Sequence, residues 1–157
     1  MLWVFSGLTL ALIVSLFKLR ENMNPLLIIG AYLFSNIFIE LSGTFISINL
    51  ELTETPNIEV GLWTQKIASL GSKPLIAVWV NYFIFSKINW TIKLMIVSLS
   101  IAIFVFHEFV FIKAGYLTFE NWNMYFESLR YIVIIILTVG CVTFLKNLLK
   151  KEMVTFS

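Results

Sequence analysis

Four ionisable side chains sit in or beside strongly apolar stretches of this sequence: Glu40, Lys73, His107 and Glu108. Within a membrane each such group costs about 2.5–3.5 kcal/mol on an insertion scale, so it requires a partner or a wet cavity. Asn36 lies one helical turn before Glu40, on the same helix face. Two chemistries fit this set. Lys73 paired with Glu40 or Glu108 would pin helix register, and such a buried pair adds little net stability because desolvation offsets the attraction. The same groups around water would instead bind a proton, an ion or a polar ligand.

Other chemistries lack residues. His107-Glu108 opens a zincin-like pattern, but the second histidine belongs one turn later, where Phe111 stands. His107 is the sole histidine and Cys141 the sole cysteine, so multi-His zinc, bis-His haem and CxxC chemistry have no ligand set within one chain. Cys141 reads as a small packing residue. Ser42 or Ser100 with His107 would provide a hydroxyl and a base without any local signature of a nucleophile. No metal or cofactor is expected, and the balance leans away from an enzyme.

The elements that must carry these groups are membrane helices. Apolar residues make up 59% of the chain and charged ones 13%, against roughly 45–50% and about 25% in soluble domains. Mean hydropathy is +0.92. Such a surface needs lipid as its solvent. The formal charge of +2 and the absence of a basic run exclude a nucleic-acid partner. A span needs about 20 residues, and about five are visible in one domain covering residues 1–157. They run over Leu2 to Phe17, Leu26 to Leu50, Ile67 to Phe85, Thr91 to Ile112 and Leu129 to Leu149. Asn24 and Pro25 suit the start of the second. The third contains Lys73-Pro74, which predicts a distorted first turn, with a re-entrant segment as the alternative. Between the second and third, Glu51 to Lys66 forms a short polar stretch that touches the membrane surface.

Tyr116, Phe119, Trp122, Tyr125 and Phe126 recur at steps of three or four. That spacing predicts an amphipathic helix over 113–128 lying in the interface, where Trp and Tyr are favoured; the alternative is an irregular loop with anchoring aromatics. The fold class is thus all-α: an integral membrane helical bundle of about five transmembrane helices plus an interfacial aromatic helix.

At about 1.5 Å per residue, Glu40 lies roughly 22 Å from the start of its span, His107 roughly 24 Å and Lys73 roughly 20 Å from the same side. All fall in one outer third of the bilayer, with Glu108 beside them. Ser35, Ser42 and Gly43 permit close helix approach nearby. With the N-terminus outside, the inner face holds Lys18, Arg20, Lys87, Lys93, Lys146, Lys150 and Lys151, against Lys66, Lys73, Lys113 and Arg130 outside. That excess predicts a multi-pass cell-membrane protein with a cytoplasmic C-terminus.

The order of features resembles that of small five-span membrane proteins of unassigned function from spore-forming bacteria. The likeness rests on Phe38-Ile39-Glu40-Leu41 late in the second span, His107-Glu108 late in the fourth, and Asn121-Trp122-Asn123-Met124-Tyr125 leading into the fifth. It covers nearly the whole chain and implies the fold and the importance of Glu40 and Glu108, but no reaction. Lys73 inside the third span departs from that layout. The leading expectation is a non-enzymatic envelope component or complex subunit. The alternatives are a small transporter, channel or sensor using Glu40, Lys73, His107 and Glu108, and a lipid-acting enzyme. Its partners are the lipid bilayer and a second copy or another membrane protein.

Overall fold

The computed structural model describes residues 1–56 and 58–155. Five helices dominate it: α1 Leu2–Arg20, α2 Pro25–Asn49, α3 Glu59–Phe85, α4 Trp90–Lys113 and α5 Met124–Thr155. Each is long and apolar enough to cross a bilayer. The protein is an all-α membrane helical bundle. Asparagines start three of the helices. The Asn24 side chain accepts from the Leu26 N–H at 2.9 Å, Asn89 from Thr91 at 3.3 Å, and Asn123 from both Tyr125 and Phe126 at 3.0 Å. Each satisfies N–H groups that the first turn leaves without partners.

Successive helices alternate in direction. One end of the bundle gathers the N-terminus and the two loops before α3 and α5; the other holds the short α1–α2 and α3–α4 turns. α2 packs most extensively against α5 and the second half of α3. α1 lies along the first half of α3, and α4 contacts both α3 and α5. Leu19, Leu27, Ala31, Val78 and Val142 close the short-turn end. Ile39, Val80, Phe104, Tyr131 and Ile134 fill the middle.

The third span begins earlier than the apolar stretch implied, at Glu59 rather than Ile67, and runs unbroken to Phe85. A π-helical turn at Ala68–Ser72 lets it do so. Pro74 lacks an N–H and its ring crowds the carbonyl four residues back, that of Leu70. The widened turn has the Lys73 N–H reach Ala68, and the Leu70 carbonyl accepts instead from the Tyr32 hydroxyl at 2.7 Å.

The interfacial aromatic helix over 113–128 does not form. α4 stops at Gly115, whose φ of +71° suits a residue without a side chain. The Tyr116 N–H bonds the Phe111 carbonyl at 2.9 Å and the Gly115 N–H bonds Ile112 at 3.0 Å, which closes the helix in a Schellman motif. Between Gly115 and Asn123, which opens α5, the residues are not helical. Two of them, β2 Thr118–Phe119, pair antiparallel with β1 Thr53–Glu54. This small ribbon ties together the two loops at that end of the bundle.

Candidate functional site

Three helices deliver charge to one buried place below the ribbon. From α3 comes Lys73, from α4 Glu108, and from the first turns of α5 Glu127, Arg130 and Tyr131. The last three share a helix face by their spacing, and that face continues through the buried Ile134, Ile135, Thr138 and Val142. Glu108 shares its face of α4 with the buried Phe104 and Phe111.

The Tyr131 hydroxyl is the hub. It donates to Glu108 Oε1 at 2.5 Å and accepts from Lys73 Nζ at 2.7 Å and from Arg130 Nη2 at 3.0 Å. Lys73 Nζ also donates directly to Glu108 Oε1 at 2.5 Å. Arg130 Nη1 stands 3.0 Å from Glu127 Oε1, and the Trp122 indole N–H donates to Glu127 Oε2 at 2.7 Å. Two cations and two carboxylates thus balance, which is the condition for keeping ionised groups away from water. One donor of the set, Arg130 Nε, is buried without an acceptor among the described residues.

Beside this network lies a cavity of about 470 Å³. Lys73, Glu108, Glu127 and Arg130 form one wall. Glu40, Gly43, Thr44 and Ser47 from α2 form another, with Lys66 and Ser69 from α3 between them. Thr53 and Phe119 of the ribbon also line it. A second ion pair lies on its rim, Lys66 Nζ to Glu40 Oε2 at 2.7 Å, with side chains 58% and 29% exposed.

Several expected placements change. Of the two pairings expected for Lys73, the one with Glu108 forms, and Glu40 pairs instead with Lys66. His107 faces away from the cavity and packs edge-on against Phe5 of α1, ring centroids 4.9 Å apart. Successive helical residues point about 100° apart, so neighbours in sequence serve different walls. Its Nδ1 has no hydrogen-bond partner among the described residues. Asn36 is half-buried one turn deeper than Glu40 and is not part of the cavity wall. Gly43 does not mediate close helix approach: a side chain there would meet nothing within 4 Å. Close approaches are at Gly71, where a Cβ would stand 2.7 Å from Thr9 Cγ2, and at Gly30, where one would stand 2.6 Å from Leu145 Cδ2. Ser42 and Ser100 hydroxyls donate to the carbonyls of Ile39 and Val97 in their own helices.

The aromatic set is also redistributed. Tyr116 covers Gly61 and joins the Phe5–Ala68–Phe111 cluster, and its carbonyl accepts from Gln65 Nε2. Phe119 lines the cavity and Trp122 holds Glu127. Tyr125 and Phe126 are exposed, at 68% and 44%. Glu127, Arg130 and Tyr131 were not singled out from the sequence, because they precede or open the last apolar run and read as loop or flanking residues. Their common face was the available signal. No protein-family profile, no curated protein and no solved structure matches the chain.

Proposed function

We propose that this chain is a non-enzymatic membrane-embedded binding protein that admits a polar group into the cavity beneath its ribbon. The observation that carries this reading is the open polar cavity itself: the paired groups Lys73, Glu108, Glu127 and Arg130 form one wall, and the more exposed pair of Glu40 and Lys66 lies on its rim. The inner pair alone would suffice to hold register; the second pair, exposed at the rim, leaves polar groups that an entering ligand can reach. The two ion groups divide the work. The inner network, buried and with at least two polar contacts at each member, acts as scaffold. Glu40 and Lys66, paired at the exposed rim, act as the exchangeable contacts for a ligand.

In this reading the ribbon end faces outward, in line with the excess of Lys and Arg at the other end. Five spans are few for a pathway through one chain, so the protein acts as a sensor or as a subunit with a second copy or a partner. Glu40 and Glu108, the positions to which the family resemblance draws attention, become rim contact and scaffold respectively.

The test is thiol accessibility. In a Cys141→Ser background, S47C is exposed to a charged, membrane-impermeant thiol reagent applied to each side of sealed cells and inverted vesicles. Modification from the outside, at a rate close to that of E120C in the loop, is expected. S35C, fully buried, stays unmodified. If S47C is as inert as S35C, the cavity is not wet and the binding reading fails.

A further inference from the structure

A second, apolar groove of about 560 Å³ runs between α1 and α2 beneath α3. Ile13, Leu16, Ile29, Leu33, Leu70 and Leu75 line it. Along α3 it extends from Trp63 to Leu75, about 18 Å at the helical rise, or roughly the depth of one leaflet of a hydrocarbon core about 30 Å thick. Tyr32 also lines it, and its hydroxyl is already engaged by the Leu70 carbonyl, so it offers a ligand little polarity. Trp63, 60% exposed, stands at its outer end, in keeping with an interfacial anchor. One residue lines both this groove and the polar cavity: Lys66.

We infer that cavity and groove form one amphiphile site, and that its occupant is an aminophospholipid, with an ethanolamine-phosphate head between Lys66 and Glu40 and one acyl chain in the groove. This rests on the binding reading above and names its ligand class. Three features select the head. The charged side chains of the cavity wall, Lys66, Lys73 and Arg130 against Glu40, Glu108 and Glu127, sum to zero, so a head with no net charge enters without leaving an unpaired charge. The exchangeable pair offers one cation and one carboxylate; a zwitterion inserted between them satisfies both, phosphate on Lys66 and ammonium on Glu40. A primary ammonium donates hydrogen bonds to a carboxylate and a quaternary one cannot, while a purely anionic head would face Glu40 with like charge. The groove then gives the chain a path that begins at the same lysine.

The experiment reconstitutes the full chain in vesicles of equal parts phosphatidylethanolamine, phosphatidylcholine and phosphatidylglycerol. The lipid that remains bound after mild detergent extraction is then weighed by native mass spectrometry. Phosphatidylethanolamine is expected to be enriched over both competitors. Glu40→Gln should lower that enrichment by about tenfold, the effect of weakening one charge-assisted hydrogen bond. Leu33→Trp, which fills the groove, should reduce total retained lipid while leaving the head preference unchanged. Retained lipid that mirrors the vesicle, favours phosphatidylglycerol, or keeps its preference in Glu40→Gln overturns the inference. Thiol labelling of S47C in the same vesicles separates the two claims: labelling without lipid selectivity refutes the aminophospholipid and leaves the wet cavity standing, whereas loss of both refutes the binding reading itself.

Discussion

Two lysine–glutamate pairs lie on walls of the same cavity, and they are opposite in kind. Lys73 and Glu108 have side chains 4% and 8% exposed and share the Tyr131 hydroxyl, with Arg130 and Glu127 completing the balance. Lys66 and Glu40 have side chains 58% and 29% exposed and, at 2.7 Å, make a single ion pair. Removing one member of a buried pair strands its partner away from water, whereas an exposed pair regains hydration when broken. The contrast shows how one small bundle can hold a rigid electrostatic wall and a yielding contact within the same space. Burial, not the identity of the residues, separates the two.

The largest effect is expected from breaking the inner pair. Glu108→Ala should destabilise the purified protein by about 3–5 kcal/mol, read from denaturant unfolding in a fixed detergent. Replacing both members, Lys73→Met with Glu108→Leu, should recover most of that loss, since no charge is then stranded. A double variant as unstable as Glu108→Ala would place the loss in packing instead. Tyr131→Phe keeps the ring against Phe104, centroids 5.0 Å apart, but removes the hub hydroxyl. It should cost about 1–3 kcal/mol, the usual penalty for leaving buried polar groups unsatisfied. The rim pair should respond far less. Glu40→Gln is expected to change stability by under about 1 kcal/mol, and a loss matching that of Glu108→Ala would erase the distinction drawn between the pairs. Smallest is Gly43→Leu. Its side chain enters open space, so stability should move by about 0.5 kcal/mol or less, while thiol labelling of S47C slows because the cavity is filled. Unslowed labelling would mean that Gly43 does not bound the route by which the reagent enters.

Much of the architecture was legible before any coordinates. The apolar runs located all five helices, and Asn24-Pro25 marked the start of α2. The aromatic spacing over 113–128 imitated an amphipathic helix, although Gly115 and Asn123 carry ordinary stop and start signals that exclude one. An aromatic period records which side chains gather, and in a ribbon and its flanking turns they gather just as well. Glu59, Gln65 and Lys66 lower the hydropathy ahead of Ile67, so the apolar run marks only the later part of α3, whose first turns are held by Gly61 against Tyr116 and by Gln65 on the Tyr116 carbonyl. Helix continuity there depends on contacts from the α4–α5 loop, distant in sequence.

Depth arithmetic brought Glu40, Lys73 and Glu108 to one level of the membrane but could not pair them, and it included His107, which turns toward α1. Depth follows from residue count alone, because every helical residue rises by the same amount. Direction around the helix axis is a different matter. In lipid the outer faces are as apolar as the inner ones, so hydrophobic periodicity does not reveal which face meets a neighbour. The sequence by itself therefore determined the solvent, the class of fold, the number of spans and the level at which charge accumulates, all consequences of transfer free energies that act residue by residue. Only the tertiary structure decided that Lys73 meets Glu108, that Tyr131, Arg130 and Glu127 complete the set, and that a cavity opens beside them. Those outcomes depend on how five helices rotate against one another, and that rotation is set by packing at sites such as Gly71 on Thr9 and Gly30 under Leu145.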